Sequence, residues 1–79
     1  MKVRAVIKLK AGVLDPQGEA IRHALGTLGF DGIEDVRQGK IIELVLAEPD
    51  AQRAEAEVQQ MCEALLANTV IESYEVELP

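Results

Sequence analysis

The side chains able to do chemistry are few. There is one histidine, His23, and one cysteine, Cys62. No nucleophile stands beside His23 in the sequence, and no histidine stands near Cys62, so neither has the neighbour that activation requires. His23 falls about 200° around a helix from Ile21, which places it on the polar side. Cys62 shares a helical face with Val58 and Leu65, where a small buried thiol is expected. Glu55, Glu57, Glu63 and Glu72 are spread along a helix and a strand and read as solvated faces, with no pair singled out for acid–base work. Gly12, Gly18, Gly26 and Gly29 match neither GxxxxGK[ST] nor a strand–GxGxxG–helix unit. Gly39-Lys40 is the exception. A glycine turn exposes backbone N–H groups and a lysine adds charge, a combination that meets anions; a hairpin turn with a surface lysine is the simpler reading. Arg37, Gly39 and Lys40 are therefore the candidate partner-binding residues, with no catalytic residue and no metal ligand assigned.

These residues need elements to hold them. Residues 2–10 alternate, with Val3, Ala5, Ile7 and Leu9 on one face and Lys2, Arg4, Lys8 and Lys10 on the other, the period of a half-buried strand. Asp15-Pro16 opens a helix as N-cap and first-turn proline. Its apolar stripe is Ile21, Ala24, Leu25 and Leu28, and Gly29 suits the C-terminal turn. Gly18 and Gly26 each weaken it by up to about 1 kcal/mol relative to alanine. Ile33 to Gln38 reads as a second strand, Gly39-Lys40 as the turn or bulge after it, and Ile41 to Ala47 as a third strand in a hairpin. Glu48-Pro49-Asp50 breaks that strand. A second helix spans about 51–67, with Ala54, Val58, Met61, Cys62 and Leu65 as its stripe and Asn68 as its cap. Val70 to Leu78 is the last strand. The order is βαββαβ, which predicts an α+β two-layer sandwich of ferredoxin-like type. It would have a four-stranded antiparallel sheet with both helices on one face. Residues 1–79 are read as one domain.

Size and charge narrow the function. A chain of 79 residues is marginal alone, at about 4–12 kcal/mol of stability. Net charge is −6, with one Phe and one Tyr. That argues against nucleic acid, which asks for a basic footprint and stacking platforms. One cysteine leaves no intrachain disulfide and no cysteine metal cage. Lys2, Arg4, Lys8 and Lys10 interrupt the N-terminal apolar positions, so no signal peptide and no membrane span are read, and a cytoplasmic location follows.

The third strand is apolar on both faces: Ile42, Leu44 and Leu46 point one way, Ile41 and Val45 the other. One face of the expected sheet is uncovered, and exposed apolar patches on small proteins mark interfaces. Association through a sheet face or edge is expected, as a homodimer or homotetramer. The basic row of the first strand and Glu75 and Glu77 of the last would face each other if those strands are neighbours.

Several short motifs recur in a familiar order: Gly12-Val13-Leu14-Asp15-Pro16-Gln17-Gly18, then Leu28-Gly29-Phe30, Val36-Arg37-Gln38-Gly39-Lys40 and Glu43-Leu44. Cys62-Glu63, Leu65 to Asn68 and Val70-Ile71-Glu72 follow. The chain resembles the PurS family, the small subunit of phosphoribosylformylglycinamidine synthase, over nearly its whole length. It departs at Thr69, where members often carry proline, and at Gln38, where an apolar residue is common. The resemblance implies a non-catalytic part in purine biosynthesis, bridging a synthetase (PurL-type) and a glutaminase (PurQ-type) subunit. Together they convert formylglycinamide ribonucleotide to formylglycinamidine ribonucleotide. The implied ATP and magnesium belong to the complex, with no cofactor bound by this chain. Two readings stand beside it: a small-molecule-binding regulatory domain, and a generic interaction module of the same fold.

Overall fold

The computed structural model describes residues 1–79. Strand β1 (Lys2–Leu9) is the middle strand of a three-stranded antiparallel sheet, flanked by β2 (Gly39–Val45) and β3 (Glu72–Glu77). The alternation read in the sequence holds: Val3, Ala5 and Ile7 are buried, while Lys2, Arg4 and Lys8 face solvent. In register, Ala5 lies between Ile42 and Val76, and Ile7 lies between Lys40 and Tyr74. These residues share the inner face.

Helix α2 (Ala51–Met61) covers that face. Asp50 caps it, its carboxylate accepting from the amides of Gln52 and Arg53. Ala54, Val58 and Cys62 are fully buried against Val3, Ala5 and Ile7 and form most of the core. The helical run reaches Leu66, close to the expected end at about 67, but its last turn is not α-helical. From Cys62 to Leu66 the backbone widens into a π-helical turn, closed by the Ala67 amide donating to the Cys62 carbonyl at 3.0 Å. Such a turn inserts one residue into the helical repeat. The phase shift leaves Leu65 83% exposed and turns Leu66 and Ala67 inward instead. Asn68 lies beyond this turn, and its side-chain oxygen accepts from the Val70 amide.

Helix α1 (Pro16–Thr27) begins and ends as expected, with Asp15 as N-cap, Pro16 first, and Gly29 beyond the end at φ +96°. Its position is not the expected one. No residue of α1 belongs to the core or to the shell around it, and only Gly18 is buried. Ile21, Ala24 and Leu28 of its stripe are exposed. Residues 33–38, expected as a strand, form none, and Gly39-Lys40 is not a turn: Gly39 opens β2 with no positive φ. The connection from α1 runs straight into β2 without folding back, so the chain supplies three strands rather than four and one covering helix rather than two. The molecule measures 48 × 25 × 14 Å, with a radius of gyration of 15.8 Å; a compact chain of this length has one of about 12 Å.

On the outer face, β1 and β3 are neighbours as expected, and Arg4 lies opposite Glu77. The ion pairs form across the other side, because Glu43 of β2 sits between two cations. Lys2 Nζ is 3.0 Å and Arg4 Nε 3.5 Å from its carboxylate oxygens. All three side chains are about half exposed, so these pairs add little stability.

Candidate functional site

Two connections cross at the end of the sheet: residues 10–15, leading from β1 into α1, and residues 36–38, leading from α1 back into β2. Asp15 ties them together. One carboxylate oxygen accepts from the Gly18 amide at 2.9 Å and the other from the Gln38 amide at 2.6 Å. The first bond is the ordinary helix cap; the second is a contact across 23 residues. Asp15 is almost fully buried. The Gly18 amide, then the Gln38 amide, and also the Arg37 charge hold its carboxyl below the usual aspartate range.

Arg37 completes the joint from the other side. Its guanidinium donates to the carbonyl oxygens of Lys10 at 3.0 Å and Val13 at 2.8 Å. Lys10 in turn donates through Nζ to the Thr69 carbonyl at 2.7 Å, and its amide bonds the Ile71 carbonyl at 2.8 Å. Two close approaches leave no room for side chains. A Cβ at Gly18 would collide with the Val36 carbonyl oxygen, and one at Gly39 would lie 2.7 Å from the Ile7 carbonyl oxygen.

The three candidate residues therefore sit together at this junction in different roles. The Arg37 guanidinium is engaged by its own chain. Gly39 is a close-contact position against β1. Lys40 is exposed, opposite Ile7, on the rim of a shallow cleft lined by Ile7, Asp15, Gln38 and Glu72. His23 is exposed, and Cys62 is buried with its thiol pushed up, first by burial and then by the Glu63 charge. No three His, Cys, Asp or Glu side chains come together in an arrangement that could hold a metal. The geometry is that of a fixed joint. Sequence reading missed the second oxygen of Asp15 and the internal bonding of Arg37, because neither contact is local. One signal did point here: Gly12 to Gly18 and Val36 to Lys40, the two sharpest motifs, are the two connections that meet.

A family model described as PurS, phosphoribosylformylglycinamidine (FGAM) synthase, matches residues 2–79. The chain belongs to the PurS family. Among relatives described as phosphoribosylformylglycinamidine synthase subunit PurS, the Bacillus subtilis protein is 47% identical over 98% of this chain and 90% of its own length. The Mycobacterium leprae protein is 52% identical over 92% of this chain and 91% of its own. The crystal structure of Methanocaldococcus jannaschii PurS, described as one of the subunits of formylglycinamide ribonucleotide amidotransferase, superposes with a TM-score of 0.87. It shares 42% identity and covers 96% of this chain and 92% of that one. A chain in the Thermotoga maritima PurLQS structure superposes with a TM-score of 0.82 at 37% identity, covering 96% and 94%. The PurS fold thus includes the extended placement of α1, since a superposition over 96% of the chain takes in that helix.

Proposed function

We infer that this chain is the PurS subunit of FGAM synthase and acts in purine biosynthesis without catalytic residues of its own. The observation that carries the reading is family membership across residues 2–79, with a superposition onto a chain of an assembled PurLQS structure. The two side chains most able to do chemistry fit a non-catalytic part: His23 lies exposed on α1, and Cys62 is sealed in the core.

Its role is positional. It holds a synthetase and a glutaminase subunit so that ammonia released at one site reaches the other without escaping to water. Holding components in place accelerates a coupled reaction without chemistry in the holder. ATP and magnesium are used by the complex, which works in the cytoplasm. Residues 1–79 act as one domain in a homodimer or homotetramer, and the four-stranded ferredoxin-like sheet is complete only there. Partner contact falls at Arg37, Gly39 and Lys40, with the free Lys40 ammonium as the group presented.

Reconstitution tests this. The chain is mixed with synthetase and glutaminase, and product formation is followed with glutamine and with ammonia as nitrogen source. The expected result is that only the glutamine-dependent rate requires the chain. If neither rate changes on adding it, the reading is wrong.

A further inference from the structure

We propose that the cleft beside the joint binds a free α-amino acid, its carboxylate held by Lys40 and its ammonium by Glu72. The inference goes beyond the positional role above. It shares Lys40 with the partner contact but rests on the cleft alone.

The cleft lies on the inner face of the sheet, past the part of β1 that α2 seals, and measures about 360 Å³. Small-molecule sites span about 300–1,000 Å³. The floor is Ile7 and Leu9. Lys40 of β2 stands on one rim, in register with Ile7, and Glu72 of β3 stands on the other, in register with Leu9. Gln17 and Gln38 line the wall beside Asp15.

The two rim charges do not meet. The ion pairs of this chain join other residues: Lys2 and Arg4 to Glu43, and Arg22 to Glu19. The register explains the gap. β1 separates β2 from β3, so Lys40 and Glu72 start about 10 Å apart across the sheet and about 7 Å apart along it. Glu72 is also fixed in place. One of its carboxylate oxygens accepts from the Asn68 amide at 2.6 Å, which leaves the other to face a ligand. The third charge of the cleft is already answered, because Asp15 is almost fully buried and each of its oxygens accepts a backbone amide. What remains is one cation and one anion on facing rims, with an apolar floor between them.

That arrangement selects the ligand. A simple anion satisfies Lys40 and is repelled by Glu72; a simple cation meets the reverse. An α-amino acid carries both charges on one carbon. Its aliphatic part lies on Ile7 and Leu9, and a polar side chain reaches Gln17 and Gln38, whose amides both donate and accept. Both end contacts are charge-assisted, the stronger class of hydrogen bond.

The test is calorimetric titration of the chain with L-glutamine, whose side chain is a carboxamide, and with two analogues that each lack one charge. Glutaramate has no ammonium, and γ-aminobutyramide has no carboxylate. Glutamine is expected to bind, and each analogue to bind about tenfold more weakly or worse, the loss of one charge-assisted bond. Lys40→Gln and Glu72→Gln should each weaken glutamine by a similar factor, while Lys2→Gln, at the other end of the sheet, leaves binding unchanged. Glutamine at 72 still offers an oxygen to the Asn68 amide, and Lys40→Gln decides the matter if Glu72→Gln does not fold. No heat of binding up to the solubility limit of glutamine overturns the site. So does glutaramate binding as tightly as glutamine, which makes the cleft a plain anion site, and so does binding unchanged in Lys40→Gln. Reconstitution is read separately: a chain that binds glutamine but fails to support glutamine-dependent turnover counts against the function and leaves the site standing.

Discussion

The Asp15 carboxylate bonds the Gly18 amide with one oxygen and the Gln38 amide with the other, so the start of α1 and the approach to β2 share one anion. A helix cap has become the point that fixes the direction of a whole arm.

Asp15→Asn should show this. The amide keeps one acceptor for Gly18 but turns an NH2 toward the Gln38 amide, setting donor against donor. A drop in Tm of several degrees at neutral pH is expected by thermal melts. The pH dependence has a defined sign. The folded carboxyl titrates below its usual value, so its stabilisation is complete above about pH 4. It is lost as pH falls through the lowered folded value, and the wild type's advantage over Asp15→Asn should shrink there.

Arg37→Ala removes both donors to the Lys10 and Val13 carbonyls. The acceptors are exposed and rehydrate, so the loss should be about 0.5–1.5 kcal/mol in urea unfolding. Both bonds leave one nitrogen, Nη2, and a lysine ammonium likewise carries several donors on one nitrogen, so Arg37→Lys should recover much of the loss.

Gly18→Ala and Gly39→Ala each place a methyl group against a backbone carbonyl oxygen. Backbone cannot swing aside as a side-chain tip does, so a cost of about 1–3 kcal/mol is expected for each. Gly26→Ala meets open space and should instead stabilise α1, by up to about 1 kcal/mol. Chemical denaturation of the three variants separates these signs.

Ile7→Ala should cost about 2–5 kcal/mol, because Ile7 is the largest sealed side chain under α2. Against a total of about 4–12 kcal/mol for a chain of this size, that removes much or all of the stability. Cys62 offers a readout of the same core. Its buried, upshifted thiol should react slowly with a thiol reagent in wild type and rapidly in Ile7→Ala.

Local patterns were legible. The Val3-Ala5-Ile7 alternation, the caps at Asp15 and the glycine after α1 all stand as read, since each depends on neighbours within a few residues. Residues 33–38 show where that legibility stops. Their composition is that of a strand, but strand formation needs a partner, and none lies within the chain. The stripe Ile21-Ala24-Leu25-Leu28 likewise identifies a helix face without revealing that the chain's own sheet does not meet it. Leu65 was misplaced for a different reason: a π-helical turn shifts the phase by one residue, and periodicity assumes a constant phase. At the junction, Asp15 and Arg37 were visible as a cap and a cation, while their bonds to Gln38, Lys10 and Val13 depend on the crossing of distant segments.

Helix α1 has 12 residues, includes Gly18 and Gly26, and lacks a sheet of its own to lie on. A helix of that length is marginal in water even with better formers. Within the chain, α1 is tied down at its first turn through Asp15 and Gly18, so the helix and the sheet are separate cooperative units. Hydrogen exchange should therefore open the α1 amides well before those of β1.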